Sequence, residues 1–189
     1  MPTIVYDLKY IEAGLGEIEA YLLSDGLYWQ TGASAPPGEP EFPSLTLGGL
    51  LLANQRLAAQ RLDAAQQQVY QALVRSLEHS QAKWRVAWER KAQRSFQSRL
   101  MQWNNYLADY SAQPEAYAAQ YPQEVRVRLM LALLKPLAEE IDPSALDLLR
   151  GLDALLRVQL RPGPFVWEAA LADGFPQETY WYLFGYLKE

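Results

Sequence analysis

Cysteine is absent from this chain of 189 residues, so disulfides, thiolate metal sites and cysteine nucleophiles are all excluded. Histidine is nearly absent. His79 stands alone, and one histidine builds neither a multi-histidine zinc site nor the paired ExxH motifs of a di-iron bundle. Long apolar runs are missing as well. The best, 50–53 and 129–134, fall far short of the roughly 18 uninterrupted residues of a membrane span. The first ten residues lack the basic region and apolar stretch of a secretory leader. The expectation is a cytoplasmic protein with no membrane partner.

Catalytic motifs fail in turn. No GxxxxGK[ST] phosphate loop occurs. Gly14-Leu15-Gly16 begins a GxG pattern but lacks the third glycine and lies in a helical pattern. Gly32-Ala33-Ser34-Ala35 is followed by Pro36, so the GxSxG elbow fails at its last residue. His79 sits beside Glu78 and Ser80 in sequence, and adjacent helix positions do not face one another. The carboxylates Glu12, Glu17, Glu19, Glu139, Glu140 and Asp142 show no spacing for a metal or an acid–base pair. No catalytic residue, metal site or cofactor is predicted.

What remains is a helical, strongly patterned chain. Half of the residues are hydrophobic and 21% are charged, enough apolar content for a packed core. Ile4, Leu8, Ile11, Leu15, Ile18 and Leu22 mark the buried face of a first helix over 3–23. Gly14 and Gly16 weaken that helix and suggest close approach of another backbone. Leu27 to Gln30 reads as a short extended aromatic segment, succeeded by a Pro/Gly-rich loop over 31–44. Between Leu45 and Gln113 there is no proline, and after Gly49 no glycine. Ser44 is the expected N-cap of the helix that opens this stretch. The apolar stripe Val69, Leu73, Leu77, Trp84, Trp88, Ala92, Phe96, Leu100, Trp103, Leu107 and Tyr110 is broken only at Ser80.

A straight helix over this stretch would be ~100 Å long, against a radius of gyration of ~16 Å for a compact domain of this size. The stretch therefore breaks, projects as an arm or runs across a partner chain. A bend near 78–81 is predicted, with Asn104-Asn105 as the site of a later break, and the expected result is two long helices, roughly 45–78 and 81–112, stacked nearly end to end or folded as a hairpin. Further helices are expected from Pro122 to about Glu140, kinked at Pro136, and from Asp142-Pro143 to about Leu160. Short helices are expected at 166–172 and 177–187. The expected fold class is all-α: one helical domain over 1–189, a bundle built on a long, bent or broken central helix at about 45–112, with short terminal helices packed against it.

Charge is segregated. Residues 1–55 carry −6, 56–103 carry +6 and 104–189 carry −5. Within 83–99, Lys83, Arg85, Arg90, Lys91, Arg94 and Arg99 face only Glu89. Lys83, Arg90 and Arg94 fall within about 40° on a helical wheel and form a candidate anion-binding set. The simpler account is that this middle region meets the chain's own acidic ends. A tail over 161–189 holds eight of the 23 aromatic residues. Tyr28, Trp29, Trp167, Tyr180, Trp181 and Tyr182 are candidates for an interface or pocket, or for a satellite core.

Three functions stay open. The first is a non-catalytic protein–protein interaction or assembly module that associates with itself. The second is a nucleic-acid or anion-binding protein using the basic helix 83–99, which an acidic pI near 5.0 disfavours. The third is a small-ligand binder or enzyme with its pocket under the aromatic tail.

Overall fold

The computed structural model describes residues 2–188. Thr3 caps the first helix, its hydroxyl accepting from the Tyr6 amide at 3.1 Å. The single helix expected over 3–23 is broken at Glu17 into α1 (Ile4–Gly16) and α2 (Ile18–Leu23). The close neighbours that Gly14 implied are side chains: a Cβ there would stand 2.9 Å from Leu45 Cδ1 and 3.2 Å from Leu50 Cδ1.

Trp29 and Leu45 exchange backbone hydrogen bonds of 3.0 and 2.7 Å in an isolated antiparallel bridge, which closes the base of the proline loop. Phe42, near the loop's end, packs its ring on Tyr6 and Tyr10.

The stretch expected as two long helices forms three. Thr46, not Ser44, caps α3 (Leu47–Ala58), because its hydroxyl is the one that accepts from Gly49 N–H. Residues 59–63 are not helical. Asp63 then opens α4 (Ala64–Lys83) with a reciprocal capping box to Gln66. The next break falls at Trp84 rather than at 78–81. Trp84 leaves helical geometry (φ −112°, ψ 31°) while its amide still donates to Ser80 and its carbonyl still accepts from Trp88. The succeeding α5 (Arg85–Ala112) runs unbroken through Asn104-Asn105. Its inward residues stay buried there, so two asparagines do not end it.

After a short α6 (Pro114–Tyr117), α7 (Tyr121–Leu134) carries Pro122 in its first turn. Pro136 terminates α7 in a 3₁₀ turn at Lys135–Leu137 instead of kinking a longer helix. The Asp142 cap and Pro143 start α8 (Pro143–Gln159) as their chemistry directs.

The tail corrects the all-α expectation. Instead of two short helices it forms strand β1 (Leu160–Phe165) paired antiparallel with β2 (Phe184–Leu187), with 3₁₀ turns at Ala169–Gly174 and Trp181–Leu183. Pro162 and Pro164 lack the amides a helix needs, and an edge strand tolerates them. Gly185 has φ 153°, and a Cβ there would overlap the Arg161 carbonyl oxygen. The chain is thus mostly helical with one small sheet. Among the described residues, no helix is long and apolar enough to cross a membrane.

Packing centres on α5 and α7, with α3 between α7 and α1, and α8 along α5. Their buried side chains and those of the tail form one continuous cluster, including Tyr21, Leu57, Phe96, Trp103, Leu129 and Phe175.

Candidate functional site

The basic run of α5 meets the end of α2. The turn at Ser24–Gly26 points carbonyl oxygens at α5, and two cations take them. Lys91, buried, donates from Nζ to the Ser24 and Gly26 carbonyls, both at 2.7 Å, and lies 4.4 Å over the Tyr21 ring. Burial, aided by Arg94 and opposed by Asp25, holds its pKa below the ordinary lysine value. Arg94 donates to the Asp25 carbonyl at 2.6 Å and stands 3.7 Å from its carboxylate. These cations at a helix C-terminus are where the dipole favours them.

The junction of α2 with the α4–α5 joint leaves an open groove of about 460 Å³. Leu22, Leu23, Trp84, Val86 and Ala87 give it apolar surface; Lys83, Arg85, Arg90 and Arg94 give it a cationic rim. Lys83, Arg90 and Arg94 all line this one cavity, although the break at Trp84 puts Lys83 on a different helix from the other two. Their states differ. Lys83 reaches Glu19 at 3.4 Å and overlies the Trp84 ring. Arg85 pairs with Glu89 at 2.8 Å. Arg90 is exposed, and no hydrogen bond or ion pair engages it among the described residues. Leu23 is 61% exposed and Val86 47%, so this apolar surface is open to an occupant.

The groove's lining is mainly apolar and cationic. Its one hydroxyl, on Ser24, already donates to Tyr21 O at 2.8 Å, and its one carboxylate, on Asp25, is fully exposed. Among the described residues no cluster of three or more metal-ligating side chains occurs. His79 lies exposed on α4.

The aromatic candidates do not converge. Tyr28 is exposed, with the Arg99 guanidinium 5.7 Å from its ring. Trp29 donates from Nε1 to Glu17 at 3.2 Å. The tail rings contact one another instead: Phe165, Trp167, Phe175, Tyr180, Trp181 and Tyr182 form a chain of edge and stacked contacts. Trp167 donates to Pro122 O at 2.7 Å, and Tyr182 is buried under the Arg128 guanidinium. Arg157 lies 3.7 Å over the half-buried Trp181.

Sequence reasoning missed Leu23 and Asp25. Leu23 falls off the α1–α2 seam, and that was the available signal: a leucine with no place on the buried face, just before a Ser-Asp-Gly turn. Comparison of the chain with protein-family models, curated proteins and solved structures finds no match.

Proposed function

We propose that this protein is a non-catalytic docking module whose groove receives an acidic amphipathic helix from a protein partner. The observation that carries this reading is the exposure of Leu23 and Val86 inside a rim of Lys83, Arg90 and Arg94. Apolar side chains of a partner helix would cover Leu23, Trp84 and Val86, while its carboxylates meet the rim. A phosphate backbone is less well supported, because Asp25 stands at the rim and Lys83 and Arg94 are partly satisfied by acidic neighbours.

Selection from a displayed peptide library tests this. Enriched peptides should pair apolar residues at i and i+3 or i+4 with Asp and Glu. Leu23→Asp and Arg90→Glu should each weaken the best peptide by at least about tenfold, with unchanged melting temperature because both side chains are exposed. Peptides bound equally well by both variants would remove the groove from consideration.

Self-association is a second reading, supported by α8. Leu148, Gly151, Leu155 and Val158 follow heptad spacing on one face; Val158 is 78% exposed, and nothing lies near Gly151. In an antiparallel pair of copies, Leu155 of one would seat against Gly151 of the other. Light scattering behind a sizing column should show a dimer that Leu155→Glu converts to a monomer. A monomeric parent protein at high concentration ends this reading.

A further inference from the structure

A second cavity, of about 370 Å³, lies on a different part of the molecule, where the start of α3 meets α5 and α7. Its wall includes Tyr10, Ser44, Thr46, Gly49, Arg99 and Arg126. Three features meet there: a helix end and two arginines whose hydrogen-bond partners are all neutral, and a phenol with no partner.

The first turn of α3 carries no acidic residue, although a helix N-terminus favours negative charge. A cation stands there instead. Arg99 donates from Nη2 to Thr46 Oγ1 at 3.2 Å, onto the same hydroxyl that accepts from Gly49 N–H at 3.0 Å. Arg99 also donates to Gln102 Oε1 at 2.7 Å and Arg126 to the Gln123 carbonyl at 2.6 Å, but among the described residues neither forms an ion pair. The one carboxylate on the wall, Glu124, acts on Arg126, whose other charged influence is the cation Arg56. Two arginines and a positive helix end thus share one small space.

The third feature is Tyr10. It is 3% exposed, and its hydroxyl has no hydrogen-bond partner. Burial pushes its pKa up to about 12; the Thr46 amide acts in the opposite direction without forming a hydrogen bond of acceptable geometry. The phenol therefore keeps its proton and is free to donate it. Phe42 packs against the ring and fixes it. Gly49 allows the approach: a Cβ there would stand 2.9 Å from Tyr10 Oη and 3.0 Å from Thr46 Oγ1. A buried, unsatisfied donor lining a cationic cavity is a costly arrangement without an acceptor.

We propose that this cavity binds a phosphoryl group, seated at the α3 N-terminus between Arg99, Arg126 and the Tyr10 hydroxyl. Donor-bearing residues from α1, α5, α7 and the start of α3 line the space, which suits a tetrahedral oxyanion with three free oxygens better than a planar carboxylate held by one guanidinium fork. The remaining volume and the exposed Tyr28 ring at the wall leave room for a small ester substituent.

The test is a titration of the isotope-labelled full chain, monitored by amide resonances, with inorganic phosphate and separately with phenyl phosphate at constant ionic strength. Both should shift the Thr46 and Gly49 amides saturably. Tighter binding of phenyl phosphate would identify an ester as the ligand; equal binding would identify the free anion. Arg99→Gln should weaken binding at least about tenfold, and Tyr10→Phe roughly fivefold. Arg126→Gln, at an exposed position, should weaken it without disturbing α3, and Leu23→Asp should leave it unchanged. Absence of a saturable shift at Gly49, or shifts centred on residues 87–91 of the other groove, would overturn the proposal. So would binding by Arg99→Gln and Arg126→Gln equal to that of the parent.

Discussion

Replacing Arg56 with leucine is expected to destabilise the protein by about 3–5 kcal/mol, and adding Asp7→Leu to the same chain is expected to recover most of that loss. Asp7 is 0% exposed and Arg56 7%. The guanidinium grips both carboxylate oxygens, Nε to Oδ2 at 2.8 Å and Nη2 to Oδ1 at 2.5 Å. Each partner also lies at the helix end that suits its charge: Asp7 in the first turn of α1, Arg56 in the last turn of α3. Removing one partner strands the other charge in the core, whereas removing both leaves apolar groups in an apolar place. Burial raises the Asp7 pKa, with the Arg56 hydrogen bond opposing it.

Loss of Arg56 removes that opposition and raises the Asp7 pKa further. The folded variant then binds the Asp7 proton more tightly than the unfolded chain does. Its deficit should shrink as the pH falls from neutral toward about 5. Urea denaturation of the parent, single and double variants at both pH values measures this. Equal loss in the single and the double variant would refute it.

Trp103→Ala is expected to cost about 3–5 kcal/mol, near the upper end for a core truncation. Trp103 is fully buried on α5, with its ring 5.5 Å from Tyr106. Its Nε1 has no hydrogen-bond partner. That defect separates the outcomes of two substitutions. Trp103→Phe loses volume but also removes the unsatisfied donor, worth about 1–3 kcal/mol. It should therefore cost about 1 kcal/mol or less. Thermal denaturation of both variants discriminates; a large cost for phenylalanine would mean the indole N–H contributes favourably.

The sequence pattern described the core of α5 well. Trp88, Ala92, Phe96, Leu100, Trp103, Leu107 and Tyr110 are all buried, because a helix enclosed by α3, α7 and α8 must repeat its apolar residues at helical spacing. The same stripe misled further upstream. Val69 is exposed and Leu73 only half-buried, since α4 lies on the surface and apolar spacing alone does not reveal a missing neighbour. The strands of the tail were hidden by aromatic residues that fit either state, with the decision made by long-range pairing of Leu160 with Leu187. Lys83, Arg90 and Arg94 could be grouped because the wheel treats their stretch as one helix. The set of Tyr10, Thr46, Gly49, Arg99 and Arg126 could not, because four separate segments bring it together. Its one local trace was Thr46-Leu47-Gly48-Gly49, a capping residue with two glycines in the first helical turn.

The exposure of α4 has a consequence for tempo. Of its twenty residues only Leu77 and Ser80 are buried, with Tyr70 and Leu73 packed at the edge of the core, so more of its stability than that of α5 rests on its own capping box and helix-forming composition, and an isolated helix of this length is only marginally stable. Its amides are expected to exchange with solvent faster than those of α5, which hydrogen-exchange measurements would show. Trp84 stands at the boundary between this thinly buried segment and the deeply packed α5. Lys83, the last residue of α4, would then be the one cation of the groove's rim to shift with that helix, while Arg90 and Arg94 stay fixed on α5.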